Sequence, residues 1–414
     1  MPTQQPATSQ LPSITRPRLL GRLLVATALL AACASPAPKA PDFYSFDQPA
    51  PGKAGMLLRS QPLPAELGLS AAGRQMRILY TSTDGLTGQG QRVTSGAVFY
   101  PAGNPPEGGW PIIAWAHGTT GVGDACAPSR NARSKRDADY LNAWLKQGFV
   151  VVATDYQGLG TEGPHLYLNA KGQAYAMLDA VRAVLGRLGD VSNRVILLGQ
   201  SQGGGAVIAT AGYAPEYAPD LKVLGTVATG APNMARSNPS PFKPDEVNPT
   251  LAYLMYVAQT VRAMDPTFEP QELFSARALP VYAQSDSLCI GPMEKAVVDA
   301  GLTNANTLIP SGLPKAMKIL GKSLQYPTLT LSQPLFMGTG GVDKDVSTEQ
   351  QLALGRDACK AGARLEQHVY PGLDHSGTVN ASLADSVPFV RKLLAGEAVG
   401  NTCDSGPIEK PAQP

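Results

Sequence analysis

The residues best suited to covalent chemistry in this 414-residue chain are Gly199-Gln200-Ser201-Gln202-Gly203, followed by Gly204 and Gly205. The five residues before them, 194–198, read Arg-Val-Ile-Leu-Leu and predict a buried strand, while residues 203–212 are small and predict a helix. A serine flanked by glycines between strand and helix is a nucleophile elbow. The turn is too tight for side chains at the glycine positions, and it lifts the serine hydroxyl above the sheet. The N–H groups at the start of the following helix stabilise negative charge formed there. Such a serine attacks an electrophilic carbonyl.

That chemistry needs a base, normally histidine, and a carboxylate to orient it. The four histidines are His117, His165, His368 and His375, and only the last two follow Ser201. After an elbow serine the acid comes next in the chain and the base last. His368 lies inside a predicted strand, 365–370, whereas His375 follows it in Pro371-Gly372-Leu373-Asp374-His375-Ser376-Gly377. Active groups of open parallel sheets gather beyond the carboxyl ends of the strands, so His375 is the expected base. Residues 334–337 predict an earlier strand running into Gly338-Thr339-Gly340-Gly341-Val342-Asp343-Lys344-Asp345-Val346, where Asp343 and Asp345 both fit the acid. Asp374 adjoins His375 directly, which turns the two side chains apart.

The charge that develops on the carbonyl oxygen needs backbone N–H donors. One is expected from Gln202. The other is expected from His117-Gly118-Thr119-Thr120-Gly121 after the predicted strand 111–116, with Thr119 and Thr120 as the donors. Asp155-Tyr156-Gln157-Gly158-Leu159-Gly160 follows the next strand and is expected near the mouth of the site without a catalytic role.

These groups must be carried by a framework. Continuous apolar strands at 111–116, 149–154, 194–198 and 223–228 alternate with helices at 138–147, 174–188 and 203–212, which predicts a mostly parallel sheet with helices on both faces. The alternation stops after residue 230 and returns at 334–337, with helices at 348–361 and 387–394. Residues 61–230 and 326–403 therefore read as one α/β core, interrupted by a helical cap at 231–325, and residues 404–414 as a tail. Some of the cap's bulky residues, Leu251, Leu254, Met255, Tyr256, Val257, Phe268 and Phe274, are expected to face Ser201 and hold an acyl chain.

With 34 basic and 32 acidic residues and no basic run in the body of the chain, a nucleic-acid partner is excluded. No apolar stretch reaches the roughly 18 residues of a spanning helix. Arg16, Arg18 and Arg22 precede an apolar segment that ends in Leu30-Ala31-Ala32-Cys33, the pattern of a bacterial lipoprotein signal at 1–32 with Cys33 as the lipidated residue. Export to the periplasm, the outer membrane or the medium is the expectation, with the lipid on Cys33 as membrane contact and residues 33–60 as a flexible tether. The remaining cysteines, Cys126, Cys289, Cys359 and Cys403, are even in number, which suits an oxidising compartment and leaves three pairings open. No C-x-x-C pair or Cys/His cluster is present, so no zinc site is expected.

Trp115-Ala116-His117-Gly118-Thr119-Thr120-Gly121, Asp124-Ala125-Cys126-Ala127-Pro128-Ser129, the Ser201 elbow, Cys289, Asp343, Cys359, Asp374-His375 and Cys403 together resemble the lipase A-like secretory lipases of the α/β-hydrolase fold, over roughly residues 60–403. In that fold the acid has Gly three residues before it and Val three after, which favours Asp343 over Asp345. The resemblance implies a Ser201–Asp343–His375 triad, an oxyanion hole from Gln202 with Thr120, and disulfides Cys126–Cys289 and Cys359–Cys403. It implies an esterase or lipase acting on small-molecule or lipid esters through an acyl-enzyme, with no metal or organic cofactor. A peptidase or amidase on the same fold, and a non-catalytic surface lipoprotein, are the alternatives.

Overall fold

A computed structural model describes residues 42–234 and 240–410 of the chain. The expected signal segment, Cys33 and the first part of the expected tether lie outside the described residues. From Phe43 onward the chain is a single unit.

The first half runs β1 (Leu57–Pro62), β2 (Ala72–Thr83), β3 (Gln91–Pro101), β4 (Trp110–Ala116), α1 (Lys135–Lys146), β5 (Val150–Thr154), α2 (Ala170–Arg187), β6 (Val191–Gln200), α3 (Gln202–Tyr217) and β7 (Val223–Thr229). Between β7 and the next strand lie α4 (Leu251–Met264), α5 (Leu279–Tyr282), α6 (Ile290–Asp299), α7 (Asn304–Thr307) and α8 (Leu313–Leu320). The chain closes with β8 (Leu335–Gly340), α9 (Thr348–Lys360), β9 (Leu365–Tyr370), α10 (Gly377–Ala381), α11 (Leu383–Ala395) and β10 (Ile408–Glu409).

The ten strands form one sheet in the order β1-β2-β3-β5-β4-β6-β7-β8-β9-β10. The pairs from β5 to β10 are parallel, and β1, β2 and β3 join antiparallel at one edge. Successive strand residues point to opposite faces, and the burial follows that rule. Ile112, Ala114, Val195 and Leu197 pack with Met177, Leu178, Val207 and Leu354 of α2, α3 and α9. Ile113, Trp115, Ile196 and Leu198, one residue out of phase, pack with Tyr140, Trp144, Phe389 and Val390 of α1 and α11. The continuous apolar runs are therefore the signature of a sheet covered on both sides. Because β4, β6, β8 and β9 run the same way, the loops that leave them gather at one edge.

Two expectations are corrected. Over its described part, the proposed tether is held to the core: Phe43 and Tyr44 are buried with Leu79, and Leu57–Pro62 is a paired strand. The guanidiniums of Arg77 and Arg130 lie 4.5 and 3.6 Å from the Phe43 and Tyr44 ring centres, contacts between distant residues that no local pattern announces. The proposed tail also enters the sheet, where Ile408 and Glu409 pair with His368 and Val369.

The segment between β7 and β8 has an apolar cluster of its own, with Leu251, Met255, Tyr256, Phe268 and Phe274 buried together. Among the described residues no helix is long and apolar enough to cross a membrane.

Candidate active site

Ser201 stands between β6 and α3 with φ 58° and ψ −120°, a backbone conformation that non-glycine residues rarely adopt. Such a residue stores about 1–3 kcal/mol and persists only where its surroundings hold it. Here its N–H donates to Thr229 O at 2.8 Å. The flanking glycines are required by close approach: a Cβ on Gly199 would strike the Gly203 carbonyl, and one on Gly203 would strike the Ala116 carbonyl. The motif is thus the local geometry that lets α3 start directly above β4 and β6.

Asp343 and His375 arrive from the adjacent strands β8 and β9, where Gly340 pairs with Tyr370. The two loops beyond are stitched by Gly341 N–H to Tyr370 O at 3.0 Å and Val342 N–H to Leu373 O at 3.1 Å. His375 Nδ1 then lies 2.7 Å from Asp343 Oδ2. Its Nε2 is buried and has no hydrogen-bond partner. Ser201 and His375 line one cavity of about 620 Å³.

Asp343 is buried and its acceptor positions are filled. Oδ1 takes the N–H groups of Asp345 and Val346 at 2.9 and 3.0 Å. Oδ2 takes His375 and also Gln351 Nε2 at 2.8 Å. Asp343, Asp345 and His375 have ligand atoms within 4.8 Å of one another, but the saturation of Asp343 leaves it no lone pair for an ion. Asp345 is exposed and accepts from Tyr253 Oη at 3.0 Å. Asp374 caps the next turn, accepting from Gly377 N–H at 2.7 Å. His368 is packed in the sheet with Nε2 3.0 Å from Glu366, as expected for a strand residue.

Thr119 and Thr120 line the same cavity. Thr119 Oγ1 is 2.6 Å from Tyr167 Oη, while Thr120 Oγ1 is buried without a partner. Gln202 is the first residue of α3, so its N–H has no partner within the helix. Its side chain turns away, and Nε2 donates to Gln173 Oε1 at 2.9 Å. Behind this loop His117 and His165 are buried, and burial pushes both down to about 4, so both are neutral at pH 7. His117 Nδ1 is 2.7 Å from Gly118 O. Asp155 is buried below the site, not at its mouth, and accepts from Ser95 Oγ and Ser129 N–H at 2.7 and 2.9 Å.

The expected acyl wall is corrected. None of Leu251, Leu254, Met255, Tyr256, Val257, Phe268 or Phe274 lines the cavity; each lies in the inserted segment's own cluster or packs against it. The segment contributes instead Tyr253, Cys289, Ile290, Gly291 and Glu294. Arg133, Arg136, Asp137 and Asp345 also face the space. A helix with a 3.6-residue period aims only one of its faces at a given cavity, and α4 aims Tyr253.

Both disulfides implied by the resemblance are formed, Cys126–Cys289 and Cys359–Cys403, each with Cα atoms 5.4 Å apart. Gln351, Tyr167 and Gly230 were not singled out from the sequence. Tyr167 meets Thr119 from 48 residues away and Gly230 lies against the His375 ring, contacts that no local motif carries, while Gln351 reaches back from α9 to Asp343.

The chain matches the family model of secretory lipases over residues 129–236. It is 21% identical to lipase A of Moesziomyces aphidis over 371 residues, which covers 83% of this chain and 77% of that one. Its fold superposes on Candida antarctica lipase A with a TM-score of 0.71 at 18% identity, covering 87% and 86% of the two chains. It also superposes on the rice cell wall degrading esterase LipA from Xanthomonas oryzae, with a TM-score of 0.63 at 18% identity and 83% and 100% covered. With an elbow, a paired Asp and His and a ten-stranded sheet in the order found here, the chain has the α/β-hydrolase fold and is similar to the secretory lipases.

Proposed function

We propose that this ester-hydrolysing enzyme works through an acyl-enzyme on Ser201, with His375 as general base and Asp343 as its orienting acid. The observation that carries the reading is the Asp343–His375 hydrogen bond with His375 Nε2 unpartnered beside the cavity of Ser201. Nδ1 is fixed as the donor to Asp343, which leaves Nε2 as the acceptor for the serine proton. Ser201 Oγ attacks the ester carbonyl as Nε2 takes its proton. The tetrahedral oxyanion is bound by the N–H groups of Gln202 and Thr120 or Thr119. His375 then protonates the departing alcohol and activates the water that releases the acid. A fluorophosphonate tests the assignment: stoichiometric labelling of Ser201, lost in Ser201→Ala, is the expected result. Labelling elsewhere, or undiminished turnover in folded Ser201→Ala, overturns it.

The charged groups among the cavity lining, Arg133, Arg136, Asp137, Glu294 and Asp345, support short acyl esters over long hydrocarbon chains. Similarity to secretory lipases supports export, and Cys33 is the proposed lipid attachment. Cys33→Ser is expected to move the protein out of the membrane fraction; a soluble wild type that begins downstream of Cys33 would refute the anchor.

A further inference from the structure

The loop of Thr119 and Thr120 is gripped from a part of the chain more than 160 residues away. The N–H of Ile290, the first residue of α6, donates to Thr120 O at 2.9 Å. The neighbouring Cys289 is bonded to Cys126, which follows the same loop. Between them Gly121 has φ +134°, and a Cβ there would lie 2.7 Å from Cys126 Sγ and 3.0 Å from Cys289 Cα. The loop backbone therefore lies directly against the bridge. A third hold comes through Tyr167, whose hydroxyl meets Thr119 and whose ring packs 5.7 Å from Tyr256 in the inserted segment's apolar cluster.

A peptide is planar, so fixing the Thr120 carbonyl fixes the plane that follows it and constrains the N–H groups just before it. We propose that the inserted segment is a positioning element for the oxyanion loop, acting through the Cys126–Cys289 bridge and the Ile290–Thr120 hydrogen bond. On this account the bridge supports turnover, and its loss lowers kcat without unfolding the sheet. The proposal rests on the reading of Thr119 and Thr120 as oxyanion donors. Displacing a catalytic group by about 1 Å costs on the order of 10²-fold in rate, and losing one oxyanion donor about 10²–10³-fold in kcat.

Ile290→Pro isolates the hydrogen bond. Proline is tolerated at the first position of a helix, and Cys289 already has the extended backbone, φ −75° and ψ 165°, that precedes proline. Ile290→Pro and Cys126→Ser/Cys289→Ser are compared with Cys359→Ser/Cys403→Ser, whose bridge ties α9 to the C-terminal segment. Each is assayed on p-nitrophenyl acetate and on the matching thionoester, whose sulfur accepts hydrogen bonds poorly and so gains little from an oxyanion hole. The first two variants are expected to lose kcat by at least about 10-fold with KM nearly unchanged, and to narrow the preference for ester over thionoester. The control pair keeps both. If the Cys126/Cys289 variant does not fold, Ile290→Pro decides alone. A wild type with no preference for the ester removes the oxyanion reading and the proposal with it. A wild type that discriminates, with folded variants that discriminate equally well, overturns the positioning role alone.

Discussion

Gly230 and His375 stand so close that a single added carbon at residue 230 would lie 2.6 Å from His375 Cε1 and 2.9 Å from Nδ1. Gly230 leaves the end of β7 with φ +58°, and its N–H donates to Gly338 O at 3.2 Å. It thus provides the space in which the imidazole reaches Asp343. Gly230→Ala is expected to displace His375 and lower kcat by about 10²-fold while the circular dichroism stays native. Unchanged turnover would show that the ring does not occupy this space during catalysis.

The two candidate acids are separated by their partners. Asp343→Asn leaves the shape but disturbs the tautomer of His375, and about a 10⁴-fold loss of kcat is expected. Asp345→Asn alters an exposed contact to Tyr253 and should change kcat by less than about 10-fold. Steady-state kinetics on one short ester compares them, and the reverse ranking would make Asp345 the acid.

His117 and His165 make acid stability a sharp test of the buried network. Each titrates at about 4 in the folded chain against 6.5 when exposed, through burial. Above pH 6.5 neither state binds the proton, so stability is fully present. As pH falls from 6.5 towards 4, only the unfolded chain is protonated, and about 3 kcal/mol per histidine is lost by the lower end. Urea midpoints between pH 7 and 4.5 are expected to fall steeply for the wild type and less steeply for His165→Gln. A parallel fall in both proteins would mean that His165 is not held neutral.

Substrate length provides a test of the cavity. An acyl chain in an apolar tunnel gains about 0.8 kcal/mol per methylene, and the charged groups lining this cavity offer little of that. On p-nitrophenyl esters from acetate to palmitate, kcat/KM is expected to peak at short chains. Met255→Ala and Phe268→Ala should cost about 2–5 kcal/mol of stability without moving the peak, because both residues are buried in the cluster of the inserted segment. Glu294→Ala should shift it towards longer chains. A peak that moves with Met255 instead would place the acyl group in that cluster.

The amino-acid sequence by itself determined the parallel α/β framework, the elbow at Ser201, the place of His375 just past a strand and the interruption after residue 230. Each is a local signal: a run of apolar residues, a glycine spacing, or a histidine placed just past a strand. It favoured Asp343 over Asp345 only through the Gly340 and Val346 that flank it, since composition and loop position are shared by the two. Tertiary structure separated them, because the stitching of β8 to β9 aims Asp343 at His375 and leaves Asp345 to Tyr253. It also decided where the bulk of α4 points, since helical periodicity defines an apolar face but not what that face meets. Met255 and Tyr256 went into a separate core, and Tyr253 went to the cavity. The grip of Ile290 on Thr120, the space left by Gly230 and the burial of Phe43 and Tyr44 were likewise set only on folding, when residues far apart in the chain came into contact.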